Sequence, residues 1–379
     1  MHVVVVGAGP TGMGLGLVMA KAGIDVTILE RAATTDPRPR AAHMTPVAMR
    51  ILTRAGLRED VRERGFIPNN HTWRKIDGTP IVSIEDVAQS HNPEAMVALP
   101  INELSKLMLE HTMKNDKITV KFSHPVVEVG QDEASAWVLV KKEDGTELKV
   151  SGDFVVGCDG ATSSVIYPFE KFGYDDMNTI IHPEHCHIVA RLTKDGLWRV
   201  SYNEDKTMSY QEAVDNVPAK FAVMLPGNPK PEDYKLTGFS VFKQHQRSAP
   251  NFRVGRICLA ADAAHLCNPW GGLGLSGGFA DVTGLAECLV GIHQGKADHS
   301  ILDKYDEVRR SIFESIISPI STANYLRCST SDPETVLDGK DQFLSMVAAA
   351  KTDPKIKEKI NQGVYAICHD FTQYYNDKN

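Results

Sequence analysis

The residues of this chain best suited to chemistry are three glycines near the N-terminus and an acidic residue that follows them. Gly7, Gly9 and Gly12 form the pattern G-x-G-x-x-G, and Glu30 follows at about the 20-residue distance that dinucleotide sites use. Gly7 permits a sharp turn, Gly9 leaves room for a pyrophosphate, and Gly12 allows a helix to pack closely. Glu30 is placed to accept hydrogen bonds from ribose hydroxyls and disfavours a 2′-phosphate. These residues predict a site for a dinucleotide such as FAD or NAD.

The elements that would position these residues form a complete βαβ unit. We predict a strand over His2–Val6, a helix from Pro10 to about residue 22, and a second strand over Asp25–Leu29. The helix N-terminus, with Pro10 and Thr11 in its first turn, would present free N–H groups and a partial positive charge to phosphates. An ordinary tight turn is the alternative, but the strand, helix and acid at the expected distances favour a nucleotide site.

Composition narrows the class of protein. The 379 residues are 42% hydrophobic and 23% charged, with a net charge of −7, so we expect a globular enzyme with no basic surface for nucleic acid or anionic lipid. The first strand would begin at residue 2, and no apolar run reaches the roughly 18 residues of a membrane span. The seven cysteines form no C-x-x-C pair, which indicates reduced thiols in the cytoplasm. No H-x-x-x-H pattern or acid cluster predicts a metal site.

Two later stretches also carry residues suited to chemistry. Residues 153–160 read as a buried strand that ends in Asp159-Gly160, and residues 256–260 read as another strand, followed by Asp262, His265, Pro269 and a glycine cluster. Taken alone, Asp159-Gly160 is typical of a turn and the glycine cluster of a loop. His265 could be a base or a metal ligand, although structural hydrogen bonding is the commoner role.

Between these stretches the pattern predicts a second sheet and several helices. Alternating apolar residues indicate strands within residues 70–84 and an antiparallel ribbon over 119–150, and a helix is expected over 99–114. A helix is also predicted over about 45–65. The second sheet is predicted from strands over His185–Leu192, Leu197–Tyr202, Phe221–Met224 and Lys235–Gln244, with further helices over 285–292 and 302–325.

The order and spacing of three motifs resemble one family. Residues 3–31, 153–165 (with C-D-G-A-T-S-S-V) and 255–287 (with A-A-D-A-A-H-L-C-N-P-W-G-G-L-G) resemble the group A FAD-dependent aromatic hydroxylases, which share the p-hydroxybenzoate hydroxylase fold. The Trp-Gly-Gly-Leu-Gly version is similar to that of fungal secondary-metabolite enzymes. The resemblance implies an α/β fold in which a Rossmann-like (GR2-type) FAD-binding domain is interleaved with an antiparallel-sheet substrate domain. The implied FAD-binding domain is 1–70, 99–166 and 253–300, the substrate domain 71–98 and 167–252, and the C-terminal helical region 301–379.

The resemblance also implies roles for single residues. Asp262 would bind the hydroxyls of the flavin's ribityl chain or ribose, Pro269 would lie near the flavin ring, and Asp159 and Gly160 would serve both FAD and a transient nicotinamide nucleotide. Asn102 stands where the family has a flavin-contacting Gln. The remaining implied cofactor residues are Arg31, Arg40, Gly272, Leu273 and Gly274.

The activity that the resemblance implies is monooxygenation. NAD(P)H would reduce a non-covalent FAD, O2 would form a flavin C4a-hydroperoxide, and one oxygen would pass to an electron-rich aromatic or alkene substrate of phenolic polyketide or alkaloid type. We expect a monomer or homodimer. Tyr202, Tyr210, His245 and Trp73 are candidates for the substrate pocket, although packing or surface positions are commoner for such residues.

The chain departs from the family after Val165. The family continues with an arginine and a further segment, but here Ile166-Tyr167-Pro168 follows at once, so an arginine available to a nucleotide phosphate is missing. This departure keeps open an FAD-binding subunit that does not hydroxylate, and an FAD oxidase or dehydrogenase is a further alternative. Milder departures are Ala261, where the family usually has Gly, and Ser276, where it often has Asn.

Overall fold

The computed structural model describes residues 1–39, 43–157, 164–205, 207–240 and 244–376. The strands are β1 (His2–Val6), β2 (Asp25–Leu29), β3 (His43–Met44), β4 (His71–Arg74), β5 (Pro80–Ile84), β6 (Val97–Ala98), β7 (Ile118–Lys121), β8 (Val126–Gln131), β9 (Ala136–Lys141), β10 (Glu147–Gly152), β11 (Phe154–Gly157), β12 (Ser164–Ile166), β13 (Met177–Ile180), β14 (His187–Arg191), β15 (Leu197–Tyr202), β16 (Lys235–Gly238), β17 (Arg247–Ser248), β18 (Arg253–Val254), β19 (Ile257–Leu259) and β20 (His265–Leu266). The helices are α1 (Pro10–Lys21), α2 (Pro46–Ala55), α3 (Arg58–Arg64), α4 (Ile101–Met113), α5 (Tyr210–Asp215), α6 (Val217–Met224), α7 (Leu273–His293), α8 (Ile301–Ile312), α9 (Ser318–Thr330), α10 (Gln342–Ala349) and α11 (Pro354–Gly363).

A six-stranded sheet carries the predicted nucleotide unit, in the order β18-β19-β11-β1-β2-β7. Strand β1 lies in its interior and pairs in parallel with β2 and β11. Its residues are apolar on both faces because both faces are covered, as is usual for parallel strands. Val3 and Val5 pack with α1 and α7, whereas Val4 packs with Val138 of the ribbon β8–β10. The predicted βαβ unit is therefore present.

Helix α7 is the longest core element of this layer. Among the described helices it is the one long and apolar enough to cross a membrane, but 72% of its most apolar window is buried inside the protein. Phe279 of α7 would lie 3.5 Å from a Cβ placed on Gly14 of α1, so the small residues of α1 allow the two helices to approach closely. The apolar character of α7 follows from its place in the core.

A seven-stranded, mainly antiparallel sheet forms the second layer, in the order β16-β12-β15-β14-β13-β4-β5. Trp198 and Val200 of β15 point to a core that includes Phe221 of α6. The opposite face receives the C-terminal region, where Trp73 of β4 packs with Leu344 of α10. The predicted fold class, an α/β nucleotide-binding layer interleaved with an antiparallel sheet and followed by C-terminal helices, is confirmed.

The structure corrects three details of the sequence interpretation. Residues 221–224, predicted as a strand, belong to helix α6, because buried Val217, Phe221 and Met224 recur at helical spacing. The single helix expected over 45–65 is divided into α2 and α3 at Gly56, which has φ +85°. Residues 164–166, assigned from sequence to the FAD-binding domain, form β12, which pairs with β15 and β16 of the second sheet.

Candidate functional site

The glycine turn between β1 and α1 has the geometry of a phosphate cradle. Gly7 has φ +110° and donates its N–H to the Leu29 carbonyl over 2.7 Å. A Cβ on Gly12 would lie 2.1 Å from the Gly7 carbonyl oxygen, whereas a Cβ on Gly9 would meet no described atom within 4 Å. Gly12 is thus required by packing, and Gly9 faces open space at the start of α1, where Thr11 is nearly buried. This open space in front of the helix N-terminus fits a pyrophosphate.

Glu30 is held at the end of β2 by backbone donors. Its Oε2 accepts the Ala8 N–H and its Oε1 accepts the Ala32 N–H, each over 2.9 Å. Each carboxylate oxygen keeps a further lone pair for a ribose hydroxyl. The adjacent Arg31 is exposed at the same edge. The arrangement fixes the carboxylate beside the glycine turn, as dinucleotide recognition requires.

The second part of the site is a loop, residues 261–274, that we call the flavin loop. Asp262 lies in a short turn, Ala261–Ala263, directly after β19, and it is partly exposed. A second short turn begins at Pro269, where the Asn268 side chain accepts the Trp270 N–H over 3.1 Å.

The flavin loop ends at the N-terminus of α7. Gly272 has φ +63° and Leu273 begins the helix. Cβ atoms added to Gly272 or Gly274 would meet no described atom within 4 Å. The N–H groups of this 21-residue helix therefore point toward open space and favour a group that carries negative charge.

A buried charged network supports the flavin loop from behind. Asp281 of α7, fully buried, accepts the Ala261 N–H over 2.9 Å and lies 2.7 Å from both His265 Nε2 and Arg309 Nε. Burial alone would raise the pKa of Asp281, but His265 and Arg309 hold the pKa below its usual value. Arg309 also donates to the Ile367 carbonyl over 2.6 Å. Ala261 has φ +57°, a left-handed conformation that glycine adopts more easily.

Asn102 supplies a further observation that fits a cofactor. It lies in the first turn of α4, where its Nδ2 donates to Glu103, but its buried Oδ1 has no hydrogen-bond partner among the described residues. Buried amide oxygens are rarely left unpaired. Thr45, before α2, lies 2.8 Å from Ser276 in the first turn of α7, hydroxyl to hydroxyl. The residues present therefore fit FAD.

Three of the implied cofactor residues, Arg40, Asp159 and Gly160, lie outside the described residues. Two candidates for the substrate pocket make other contacts. Tyr202 packs against Phe221 on the far face of its sheet. The exposed Tyr210 donates to the Phe239 carbonyl.

Trp73 and His245 complete the set of proposed pocket residues. Trp73 packs against Phe343 of the C-terminal region, and His245 is partly exposed. The sequence interpretation missed His71 and Arg199, which share one face of the second sheet, and His43 of β3, which lies near both of them. The alternation of Trp198, Arg199 and Val200 along β15 was the one available signal.

The parallel sheet, the glycine cradle and the flavin loop define a dinucleotide-binding flavoprotein with a second sheet beside its cofactor site. Residues 1–174 and 185–318 match the FAD binding domain family. The chain therefore belongs to this family, that of the FAD-dependent aromatic hydroxylases, and the predicted FAD cofactor is confirmed.

Three relatives show how far the similarity extends. Para-nitrophenol 4-monooxygenase of Pseudomonas sp. (strain WBC-3) is 34% identical over 355 residues, covering 87% of this chain and 88% of that protein. 6-Hydroxy-3-succinoylpyridine 3-monooxygenase of Pseudomonas putida is 28% identical over 378 residues, covering 93% and 94%. The crystal structure of p-nitrophenol 4-monooxygenase from Pseudomonas putida superposes with a TM-score of 0.88 at 32% identity, covering 96% of this chain and 97% of that one. These relatives support the monooxygenase prediction over the oxidase and binding-subunit alternatives.

Proposed function

We propose that this chain inserts one oxygen atom of O2 into an aromatic ring that carries a hydroxyl group, with NAD(P)H as the reductant. The observation that carries the proposal is the full-length similarity to p-nitrophenol 4-monooxygenase, in sequence and in fold. The second relative is named for a hydroxypyridine. Both printed substrates have a hydroxyl on a six-membered aromatic ring, which is the class that we assign here.

We assign the roles of the chain's own residues from their positions. Gly9 and the N-terminus of α1 hold the pyrophosphate, Glu30 receives ribose hydroxyls, and Asp262 receives further hydroxyls of the cofactor. The N–H groups of Leu273 and Gly274 stabilise negative charge that develops on the ring system. When bound, FAD supplies the exchange of electrons with the nicotinamide and the activation of O2.

The substrate position follows from the contact between the flavin loop and the second sheet. Trp270 of the loop forms a cluster with Cys186 and Cys328, and Ile188 of β14 packs against this cluster. The cluster joins the flavin loop to the sheet at one end of the space between them. We place the aromatic ring in this space, between the sheet and the start of α7.

We also make proposals for the domain bounds, the cellular location and the oligomeric state. We propose residues 1–70, 99–163 and 253–300 as the FAD-binding domain, with the rest of 71–252 as the substrate domain and 301–379 as the C-terminal helical region. We also propose a cytoplasmic monomer or homodimer. A role in fungal secondary metabolism with a polyketide or alkaloid substrate stays a prediction, and the similar proteins reported above are bacterial.

The test begins with the purified protein, which should be yellow and should release FAD on denaturation. Oxidation of NADH and of NADPH is then followed with 4-nitrophenol, a hydroxypyridine, phenolic polyketides and indole alkaloids, under 18O2. Substrate-stimulated oxidation with one labelled oxygen in the product is expected for a hydroxylated single ring. Recovery of NAD in place of FAD, or peroxide release without a labelled product from any substrate, contradicts the proposal.

A further inference from the structure

Four side chains form one row across the sheet face that turns toward the flavin loop. Strand register pairs His71 of β4 with Met177 of β13, Met177 with Ala190 of β14, and Ala190 with Arg199 of β15. Residues paired in this way point to the same face of a sheet. The neighbouring row contains Ile188, which packs against the small cluster of Cys186, Cys328 and Trp270 of the flavin loop. The row from His71 to Arg199 therefore lines the space proposed above for the substrate.

Arg199 is the unusual member of this row. Its Nε is buried without a hydrogen-bond partner, and the side chain makes no ion pair with any residue that the structure describes. Burial lowers the pKa of its guanidinium. By contrast, the buried Arg74 of the same sheet is bonded to Asn178, Asp175 and two backbone carbonyls. Arg199 is partly exposed as a whole residue, but its Nε is withdrawn from water without the partners that Arg74 has, and a cation in such a position favours an anion beside it.

The groups that face Arg199 do not supply that anion. Burial, followed by the charges of Arg199 and His71, lowers the pKa of His43 to about 3. Burial lowers the pKa of His71 to about 4, although Asp175 acts in the opposite direction. The Asp175 carboxylate is itself bonded to Thr72 and Arg74. His43 and His71 are therefore neutral at pH 7, and of these two histidines and Arg199 only Arg199 carries a positive charge.

The dimensions of the row suit a single aromatic ring. Met177 and Ala190 lie between His71 and Arg199 and give the face an apolar floor, with the small Ala190 next to Arg199. Three strand spacings separate the outer residues by about 14 Å between Cα atoms. His43 of β3 carries a buried Nε2 that also has no partner among the described residues. An apolar floor with an unpaired cation at its end is complementary to an aromatic anion.

We propose that Arg199 is a positioning residue that binds an ionised oxygen on the ring of the substrate and so selects aromatic anions over neutral rings of the same shape. The inference rests on the proposed function, because it concerns the substrate of the same site. The ion pair would place the ionised hydroxyl at the sheet and would fix the orientation of the ring across Ala190 and Met177. A charge-assisted hydrogen bond of this kind changes affinity by about tenfold to a hundredfold.

The first experiment compares two ligands on the FAD-loaded enzyme. 4-Nitrophenol can ionise, whereas 4-nitroanisole has the same ring with a methyl ether that cannot. We expect Arg199→Gln to raise the Kd of the nitrophenolate about tenfold to a hundredfold and to leave the Kd of the ether unchanged. Arg199→Lys should keep part of the preference. Arg191→Gln on the neighbouring strand, where the arginine already pairs with Asp176, is the matched control and should change neither Kd.

The second experiment reads the charge of the bound ligand directly. Nitrophenolate and nitrophenol differ in visible absorption, so difference spectra of the holoenzyme at a series of pH values give the pKa of bound nitrophenol. We expect this pKa to lie about one to two units below that of the free ligand, and to return toward it in Arg199→Gln. The two histidines keep their neutral form above about pH 5, so the titration reports the ligand.

The outcomes separate this inference from the proposed function. Equal losses for phenolate and ether in Arg199→Gln would indicate a structural role and overturn the inference. So would an unshifted ligand pKa, or a wild type without preference for the phenolate. If Arg199→Gln does not fold, the Arg199→Lys variant and the wild-type titration decide. Arg199-dependent phenolate binding without any oxygenated product would overturn the proposed function alone, and product formation without Arg199 dependence would overturn the inference alone.

Discussion

Replacing Arg309 by methionine tests the buried network behind the flavin loop. The side chains of Arg309 and Asp281 are 1% and 0% exposed, and they meet at 2.7 Å. Methionine keeps an unbranched apolar stem like that of arginine, although it is shorter, and it removes the charge and the donors. The variant leaves the Asp281 carboxylate buried, with His265 and the Ala261 N–H as its partners. The Ile367 carbonyl also loses its donor.

The expected loss of stability follows from these contacts. Removing one partner of a buried ion pair costs about 3–5 kcal/mol. Asp281 keeps two partners, which favours the lower value, and the unpaired Ile367 carbonyl adds about 1 kcal/mol. We therefore expect Arg309→Met to lower the free energy of unfolding by about 4 kcal/mol, a large part of the 5–15 kcal/mol typical of a folded protein.

Urea unfolding at pH 7, with saturating FAD and circular dichroism as the probe, measures this loss. Arg310→Met is the matched control, because Arg310 lies on the same helix but is partly exposed and pairs with Asp306. The control should lose no more than about 1 kcal/mol. Adding Asp281→Asn to Arg309→Met removes the orphaned charge and should recover about 2 kcal/mol. The reasoning is refuted if Arg309→Met resembles the control, or if the double variant is less stable than the single one.

The same pair predicts a dependence on acid. The pKa of Asp281 is lower in the folded protein than its ordinary value, and the ordinary value is near 3.9. A depressed pKa stabilises the fold above the unfolded pKa, and this contribution is lost as the pH falls through the folded pKa. Below about pH 4 the stability of the wild type should therefore fall more steeply than that of Asp281→Asn. If the free energies of unfolding of the wild type and of Asp281→Asn fall in parallel below pH 4, the lowered pKa of Asp281 is contradicted.

Three further predictions concern the cofactor site. Gly9→Ala should fold normally but bind FAD at least about tenfold more weakly. Gly12→Ala should instead lose about 1–3 kcal/mol of stability, because its Cβ would strike the turn. Equal thermal stability of the two variants would contradict these different roles of the two glycines. Asp262→Ala should cost about 2 kcal/mol in FAD affinity by equilibrium dialysis, and an unchanged Kd would remove this carboxylate from the site. Ile166→Arg places the missing positive charge on a residue that is 41% exposed. In stopped-flow reduction of the flavin, this variant should lower the KM for NADPH about tenfold. Equal reduction rates for the variant and the wild type at each NADPH concentration would show that the shortened junction is harmless.

The parts of the fold that could be predicted from sequence are those whose signals are local. The strand before Gly7, the helix after Pro10 and the acid at Glu30 lie within one continuous stretch, so each supports the others. The flavin loop was recognised only through the resemblance to the aromatic hydroxylases, because its glycines and Asp262 taken alone indicate an ordinary loop. Its position also depends on Asp281, which accepts the Ala261 N–H from a later part of the chain.

The sheet face that we propose for the substrate could not be found in this way, because its residues meet only through sheet register. His71 and Arg199 are separated by more than a hundred residues, and each is an ordinary polar residue in its own strand. Strand β3, which carries His43, has two residues and therefore no periodicity to detect. Residues 221–224 were misread because four apolar residues fit either a strand or a helix. The helical spacing becomes visible only when Val217 is included.

The interior position of β1 has a consequence for how the protein is made. Strand β2 follows β1 closely in the chain, but the partner of the other edge of β1, Phe154–Gly157, is synthesised more than a hundred residues later. Helix α7, which covers Val3 and Val5, follows more than a hundred residues later. The dinucleotide site is thus encoded first and completed late, and the nascent chain exposes an apolar strand edge that invites aggregation. Truncated chains that end before β11 should be insoluble, and FAD should enter only after α7 has been synthesised.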